Sequence, residues 1–371
     1  MASPYSQASS NFSDSMSGGV DPRTGLYSAS LLLAHLKANG TSGPFLPLSL
    51  KYDPMSSIDM GFGVGWGLSW SHYSTDDGVL SLSTGDRYST TMQSGNLALK
   101  DQKIVSAKLR QTDGVYHVQN RKGDTHILGR YVSGNLWVPS RILAPNGLGV
   151  TLIWNNDGRL KSIVDELAED GDTPQTLVEI DYSNALKTTV TLWPGTDTQK
   201  VITVILPGGT NSAIYFGGLA WIMHYDDSIR SFGKPPLCRI EYPSGAIETV
   251  TYTSDEDGHR YPLCAPQAAS QTIPYVSEYR KKIVGNDTDR VINYSFSAKN
   301  FVGYQSGISE WKANGDNLYE ADKNYTYQSF ETRYDGNNNK IKTTNEYNKF
   351  HLLTRTMRGG SVCLNSFGRF A

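Results

Sequence analysis

Short runs in which apolar and polar positions alternate recur along the whole chain, and most end in a turn rich in Gly, Asn, Asp or Pro. A period of two is the mark of a strand with one buried face. It predicts strands over Leu26–Leu33, Pro47–Tyr52, Gly78–Ser83, Asp113–Val118 and Trp137–Ile142. The texture continues through Gly149–Trp154, Leu177–Tyr182, Thr188–Leu192, Val201–Leu206, Trp221–Tyr225, Cys238–Tyr242, Val291–Phe296 and Tyr325–Tyr327. Helical spacing is never sustained over the ~12 residues that a packed helix needs. Asp165–Asp170 carries a hint of helix too short to be more than a turn. This argues against a Rossmann-type or TIM-barrel architecture and for an all-β fold, an antiparallel sheet strip or sandwich.

Within that texture a loose unit repeats: an aromatic, a turn, then an alternating run. Trp154-Asn155-Asn156-Asp157-Gly158-Arg159-Leu160 leads into Lys161–Val164, and Tyr182-Ser183-Asn184-Ala185-Leu186 into Thr188–Leu192. Tyr242-Pro243-Ser244-Gly245-Ala246 leads into Ile247–Tyr252, and Tyr334-Asp335-Gly336 through an Asn run into Ile341. One such unit is a hairpin signal, and several predict a repetitive antiparallel sheet.

Two turn-dense motifs stand out near the start. Asp21, Pro22, Arg23 and Gly25, within Gly18–Gly25, are expected to set a tight entry turn into the first strand. The segment Gly61–Trp70 alternates glycine with aromatics. A phosphate-cradling loop is excluded there because no Gly-Lys-Ser/Thr closes the segment and no helix-forming stretch follows it. Gly61, Gly63, Gly65, Trp66, Gly67 and Trp70 are instead expected to lock a sheet corner. Near the end, Tyr347, Phe350, His351 and Leu352 are expected to form the packing face of the last repeat.

Composition supports the all-β reading. Of 371 residues, 22 are Tyr and 36 are Gly, residues that cover sheets and supply turns. A formal net charge of −2 offers no broad footprint for nucleic acid, and Arg280-Lys281-Lys282 reads as a solvated strand or turn. No stretch has the ~18 apolar residues of a membrane helix, and Leu31–Ala34 reads as a buried strand. The first residues lack a basic region and an apolar region, so the expectation is export without a classical signal peptide, or a cytoplasmic stage before export. Cys238, Cys264 and Cys363 form no CxxC pair and read as ordinary thiols.

Candidate chemistry is sparse. The seven histidines form no HExxH motif and no zinc spacing. His259, with Asp257 and Cys264, is the sole mixed local cluster, and no metal or other cofactor is expected. No G-x-S-x-G elbow is present. Asp76-Asp77, Asp226-Asp227 and Asp255-Glu256-Asp257 read as turns and solvated loops, and are the candidate acid pairs if the chain is a glycoside hydrolase. Trp137, Trp193, Trp221 and Trp311 are candidate sugar-stacking rings, which makes a lectin-like carbohydrate-binding module a second reading.

Several segments together resemble the RHS/YD-repeat family. Gly19–Gly25 is similar to the opening of large RHS proteins, and Gly43–Pro54 running into Gly61–Trp70 resembles pieces of the SpvB-like part of Tc-toxin B components. Glu241–Tyr252, Asn300–Ser306 and Thr343–Thr354 are similar to further pieces of the family. The resemblance implies a β-sheet strip that is part of a hollow shell, one that in bacterial toxin systems encloses an effector. Residues resembling the self-cleaving core segment of some members are not recognised, so the chain is similar to the amino-terminal part of a longer RHS protein.

The expected organisation is a flexible N-terminal arm (1–17), an N-terminal β domain (18–150), a β region of degenerate YD-like units (151–260) and a C-terminal YD-like region (261–371). The function expected is a structural or delivery module without catalytic activity. It would enclose cargo or dock to a protein partner of a toxin or secretion system.

Overall fold

The computed structural model describes residues 16–93, 95–100, 105, 107–132, 135–167, 174–206, 211–268, 271–285, 289–312, 317–334, 339–359 and 361–364. Those residues form 31 strands and two short 3-10 turns. The fold is all-β, dominated by large antiparallel sheets. Most of the expected flexible arm lies outside the described residues, and a strand, Met16–Val20, begins inside its last positions.

Nineteen strands, from Ala107–Thr112 to Ser361–Leu364, make one antiparallel strip in which successive members pair. The order of neighbours traces a ring with those two strands as its ends, although no register partners join them among the described residues. Hairpin connections explain this build: two alternating runs joined by a tight turn pair with each other before anything else. Three of the recurrent units mark such a turn. Trp154–Leu160 joins Gly149–Trp154 to Leu160–Asp165, and Tyr182–Leu186 joins Thr176–Asn184 to Lys187–Leu192. Tyr242–Ala246 joins Leu237–Glu241 to Ile247–Tyr252. Tyr334 ends Thr326–Tyr334, which pairs with Lys340–Asn348, while Asp335 and Gly336 lie outside the described residues.

A four-stranded sheet (Met16–Val20, Tyr27–Lys37, Phe45–Tyr52, Trp66–Leu68) packs on the inner face of the strip. Its alternating Leu31, Leu48 and Leu50 share one core with Ile163, Val190, Ile214 and Ile240 of the strip. That core runs from Tyr27 to Tyr294 and crosses the expected boundaries at 150 and 260; the first of these falls within Gly149–Trp154.

A second core gathers Leu26, Phe301, Tyr325, Tyr327 and Tyr347, and a third lies under a six-stranded sheet that contains His72–Ser74 and Arg87–Gln93. The expected single strand Trp137–Ile142 is divided. Leu136–Val138 joins the six-stranded sheet, whereas Arg141–Leu143 joins the strip. Pro139 has no backbone donor for a ladder, and it sits where the chain changes sheets.

Candidate functional site

The entry turn is built from its own side chains. Asp21 Oδ1 accepts from the Arg23 backbone N–H at 2.8 Å, and Gly25 N–H donates to the Asp21 carbonyl at 2.7 Å. Arg23 is buried, with its guanidinium 3.6 Å from Asp21 Oδ2. Gly25 has φ of +69°, and a Cβ there would press into Tyr275 and Phe296. Its carbonyl accepts from Val276 N–H at 2.8 Å, which ties the turn to a strand of the strip 251 residues later in the chain.

The C-terminal motif comes to the same region. Tyr347 stacks on Tyr327 at 5.3 Å, and the Tyr327 hydroxyl pairs with His351 Nδ1 at 2.8 Å. Both tyrosines feel the charges of Asp21 and Arg23, and burial is the main cause that pushes Tyr347 up to about 12. Phe350 is half-buried against Tyr319. Leu352 departs from the expected packing face, because at 38 % exposure it lies at the surface.

The glycine-rich segment closes around Lys234. The ammonium donates to the carbonyls of Asp53 (3.0 Å), Ser56 (2.6 Å) and Val64 (3.3 Å) and lies 4.8 Å from the Tyr52 ring centre. Burial lowers Lys234 to about 8, against a smaller opposing pull from Asp53. Gly65, at φ +87°, is the close-approach position, since a Cβ there would occupy the place of Lys234 Nζ. Asp59 Oδ1 accepts from Gly61 and Gly63 N–H at 2.7 and 3.1 Å. Trp66 is 2 % exposed, and its Nε1 donates to Tyr225 Oη at 2.9 Å. A Cβ at Gly67 would meet Met60 only at ordinary van der Waals distance, and Trp70 packs half-buried against the main core.

The four candidate sugar-stacking tryptophans do not come together. Each is half-buried: Trp137 packs on Tyr116 and Tyr131, and Trp311 on Tyr261. Trp193 and Trp221 pack against the main core, and Trp221 stands opposite buried Ile214.

Members of the candidate acid pairs are engaged with turn and loop groups, some close in sequence and some distant. Asp226 caps Ser228, Asp255 accepts from the backbone of Arg230 and Ser231, and Asp257 takes the Ser254 hydroxyl. Asp77 bonds Ser74, and Asp76 accepts from Asn135 at 2.5 Å. An open groove of roughly 400 Å³ on the strip is lined by Asn155, Lys161, Glu179, Asp181 and Tyr182 among others. Asp181 is held below the usual carboxylate range by the backbone and hydroxyl of Ser183.

Among the described residues, no group of three His, Cys, Asp or Glu side chains converges on a metal position. His259 is separated from its sequence neighbours: its ring lies among Tyr275, Phe296 and Phe301, while Cys264 Sγ faces the Ile308 carbonyl. No helix of the described residues is long and apolar enough to cross a membrane.

A buried cluster that the sequence did not announce surrounds Glu248. This carboxylate is 1 % exposed and accepts from Tyr27 Oη (3.0 Å) and Lys281 Nζ (2.7 Å). Lys281, expected to be solvated, thus turns inward because its register places it opposite Glu248. Neither Glu248 nor Lys234 has a charged partner nearby in sequence that would have flagged it. Compared with known proteins, the chain matches no family model and no curated protein.

Proposed function

We propose that this chain is a non-catalytic structural module, built like a wall segment of an RHS/YD-repeat protein, that docks to a protein partner in a toxin or secretion system. The observation that carries the reading is the coincidence of the recurrent aromatic-turn units with the hairpins of one long antiparallel strip. The inner face is packed against the chain's own four-stranded sheet, which favours docking over enclosure of cargo along this stretch. Asp226, Asp255 and Asp257 are engaged with turn and loop groups, which favours a mechanical role over glycoside hydrolysis.

Cross-linking mass spectrometry in the cell of origin, paired with a glycan array and a panel of aryl glycosides, tests it. A discrete protein partner, with no saturable glycan binding and no glycoside turnover, is the expected result. Saturable glycan binding lost on Glu179→Ala and Asp181→Ala in the groove would replace the reading with a carbohydrate-binding one.

A further inference from the structure

His259 is 3 % exposed and stands at the seam between the two larger cores. Its Nε2 lies 3.0 Å from the Thr24 carbonyl oxygen, 235 residues away in the chain. That carbonyl accepts from the Nε2–H tautomer. The ring centres of Phe296, Tyr275 and Phe301 are at 4.8, 4.9 and 5.1 Å.

The same turn makes the backbone bond from Val276 N–H to the Gly25 carbonyl. It then sends Leu26 into the second core and Tyr27 into the main one. The docking of Asp21–Leu26 therefore stitches the two cores together.

A neutral imidazole fits this seam, with one N–H on a carbonyl and its faces on aromatic rings. An imidazolium needs a second acceptor and hydration. The ionisable groups around the ring do not supply the acceptor. In the bend before its strand, Asp257 is engaged with the Ser254 hydroxyl, and on the strand Arg260 carries like charge. In the turn, Asp21 and Arg23 pair with each other. Tyr275 flanks the ring, and the strand ending at Phe296 and the turn at Phe301 bring apolar rings.

We propose that the Asp21–Leu26 turn is an acid-released clasp with His259 as its latch, so that protonation of the imidazole undocks the turn while the strip stays folded. Burial sets the direction, pushing His259 down to about 4 from its ordinary 6.5. The docked state then binds fewer protons than the released one. Docking is fully favoured above pH 6.5 and weakens as the pH falls toward 4, the released population rising up to about tenfold per pH unit.

Hydrogen exchange of the whole chain, corrected for intrinsic rates, tests this at pH 7.5 and 5.0. Peptides over residues 16–27 of the wild type are expected to lose up to about thirtyfold in protection, while Lys187–Leu192 and Lys200–Ile205 keep theirs. His259→Gln, which keeps a donor without titrating, and His259→Phe should show no such pH-dependent loss. Unchanged wild-type protection, uniform loss across the strip, or equal loss in both variants overturns the clasp. If neither variant folds, titration of the wild-type imidazole by NMR decides. A midpoint below 6 that tracks loss of protection over 16–27 supports the clasp, and a midpoint at 6 or above overturns it.

Discussion

Lys234 Nζ donates to the carbonyl oxygen of Ser56 at 2.6 Å across 178 residues of chain, and the glycine-rich loop is folded around that contact. The loop takes its shape from an ammonium delivered by a distant segment, and Gly65 leaves the room for it. Gly65→Ala forces a side chain into both a left-handed backbone position and the ammonium site. The expected cost is roughly 1–3 kcal/mol from the backbone strain alone, read as a lowered urea midpoint.

Lys234→Met keeps an unbranched side chain of similar length and removes both the three donors and the charge over the Tyr52 ring. A loss of roughly 1–2 kcal/mol is expected, with residues 53–65 becoming the first site of limited proteolysis. Unchanged proteolysis of this loop would mean that Asp59 and the local turns hold it without the lysine.

Trp66 combines burial with a hydrogen bond to Tyr225, whose hydroxyl is also 2.8 Å from Ser212 Oγ. Trp66→Ala is expected to cost about 3–5 kcal/mol. Trp66→Phe, which keeps much of the packing, should cost roughly 1–2 kcal/mol for the lost bond and smaller ring. Equal unfolding midpoints for wild type and Trp66→Ala would show that the ring does not serve as a core anchor.

The Glu248–Lys281 pair is asymmetric, since the carboxylate is 1 % exposed and the lysine side chain 32 %. Lys281→Met strands a buried charge and is expected to cost roughly 3–5 kcal/mol. Glu248→Gln leaves Lys281 able to reach water and should cost less. Denaturant unfolding of the two variants side by side checks the order, and the reverse order would refute this account of the pair.

Arg141 donates twice to Glu166, from Nε and Nη2, both at 2.6 Å. The guanidinium is the first cause holding the Glu166 carboxyl below its ordinary 4.5. The pair's contribution is therefore present above pH 4.5 and is lost as the pH falls through the lowered folded value. Because both side chains are partly exposed, Glu166→Gln should cost roughly 1 kcal/mol or less at pH 7. The difference from wild type should shrink as the pH falls below 4.5 in parallel urea titrations.

The sequence by itself determined the strand texture and the hairpins. Alternation and turn chemistry act over a few residues, so Gly149–Trp154 and the turns at Asn156, Asn184 and Ser244 could be read locally. It also marked Asp21–Gly25, Gly61–Trp70 and Tyr347–His351 as unusual.

Only the tertiary structure decided what those motifs touch. The division of the Trp137–Ile142 run between two sheets depended on which neighbours each half found. So did the inward turn of Lys281, the meeting of Asp21 and Arg23 with Tyr327 and Tyr347, and the carbonyl cage around Lys234. Each depends on pairing between segments far apart in the chain. Such contacts are set by the cooperative burial of whole faces, a property that no local window of residues carries.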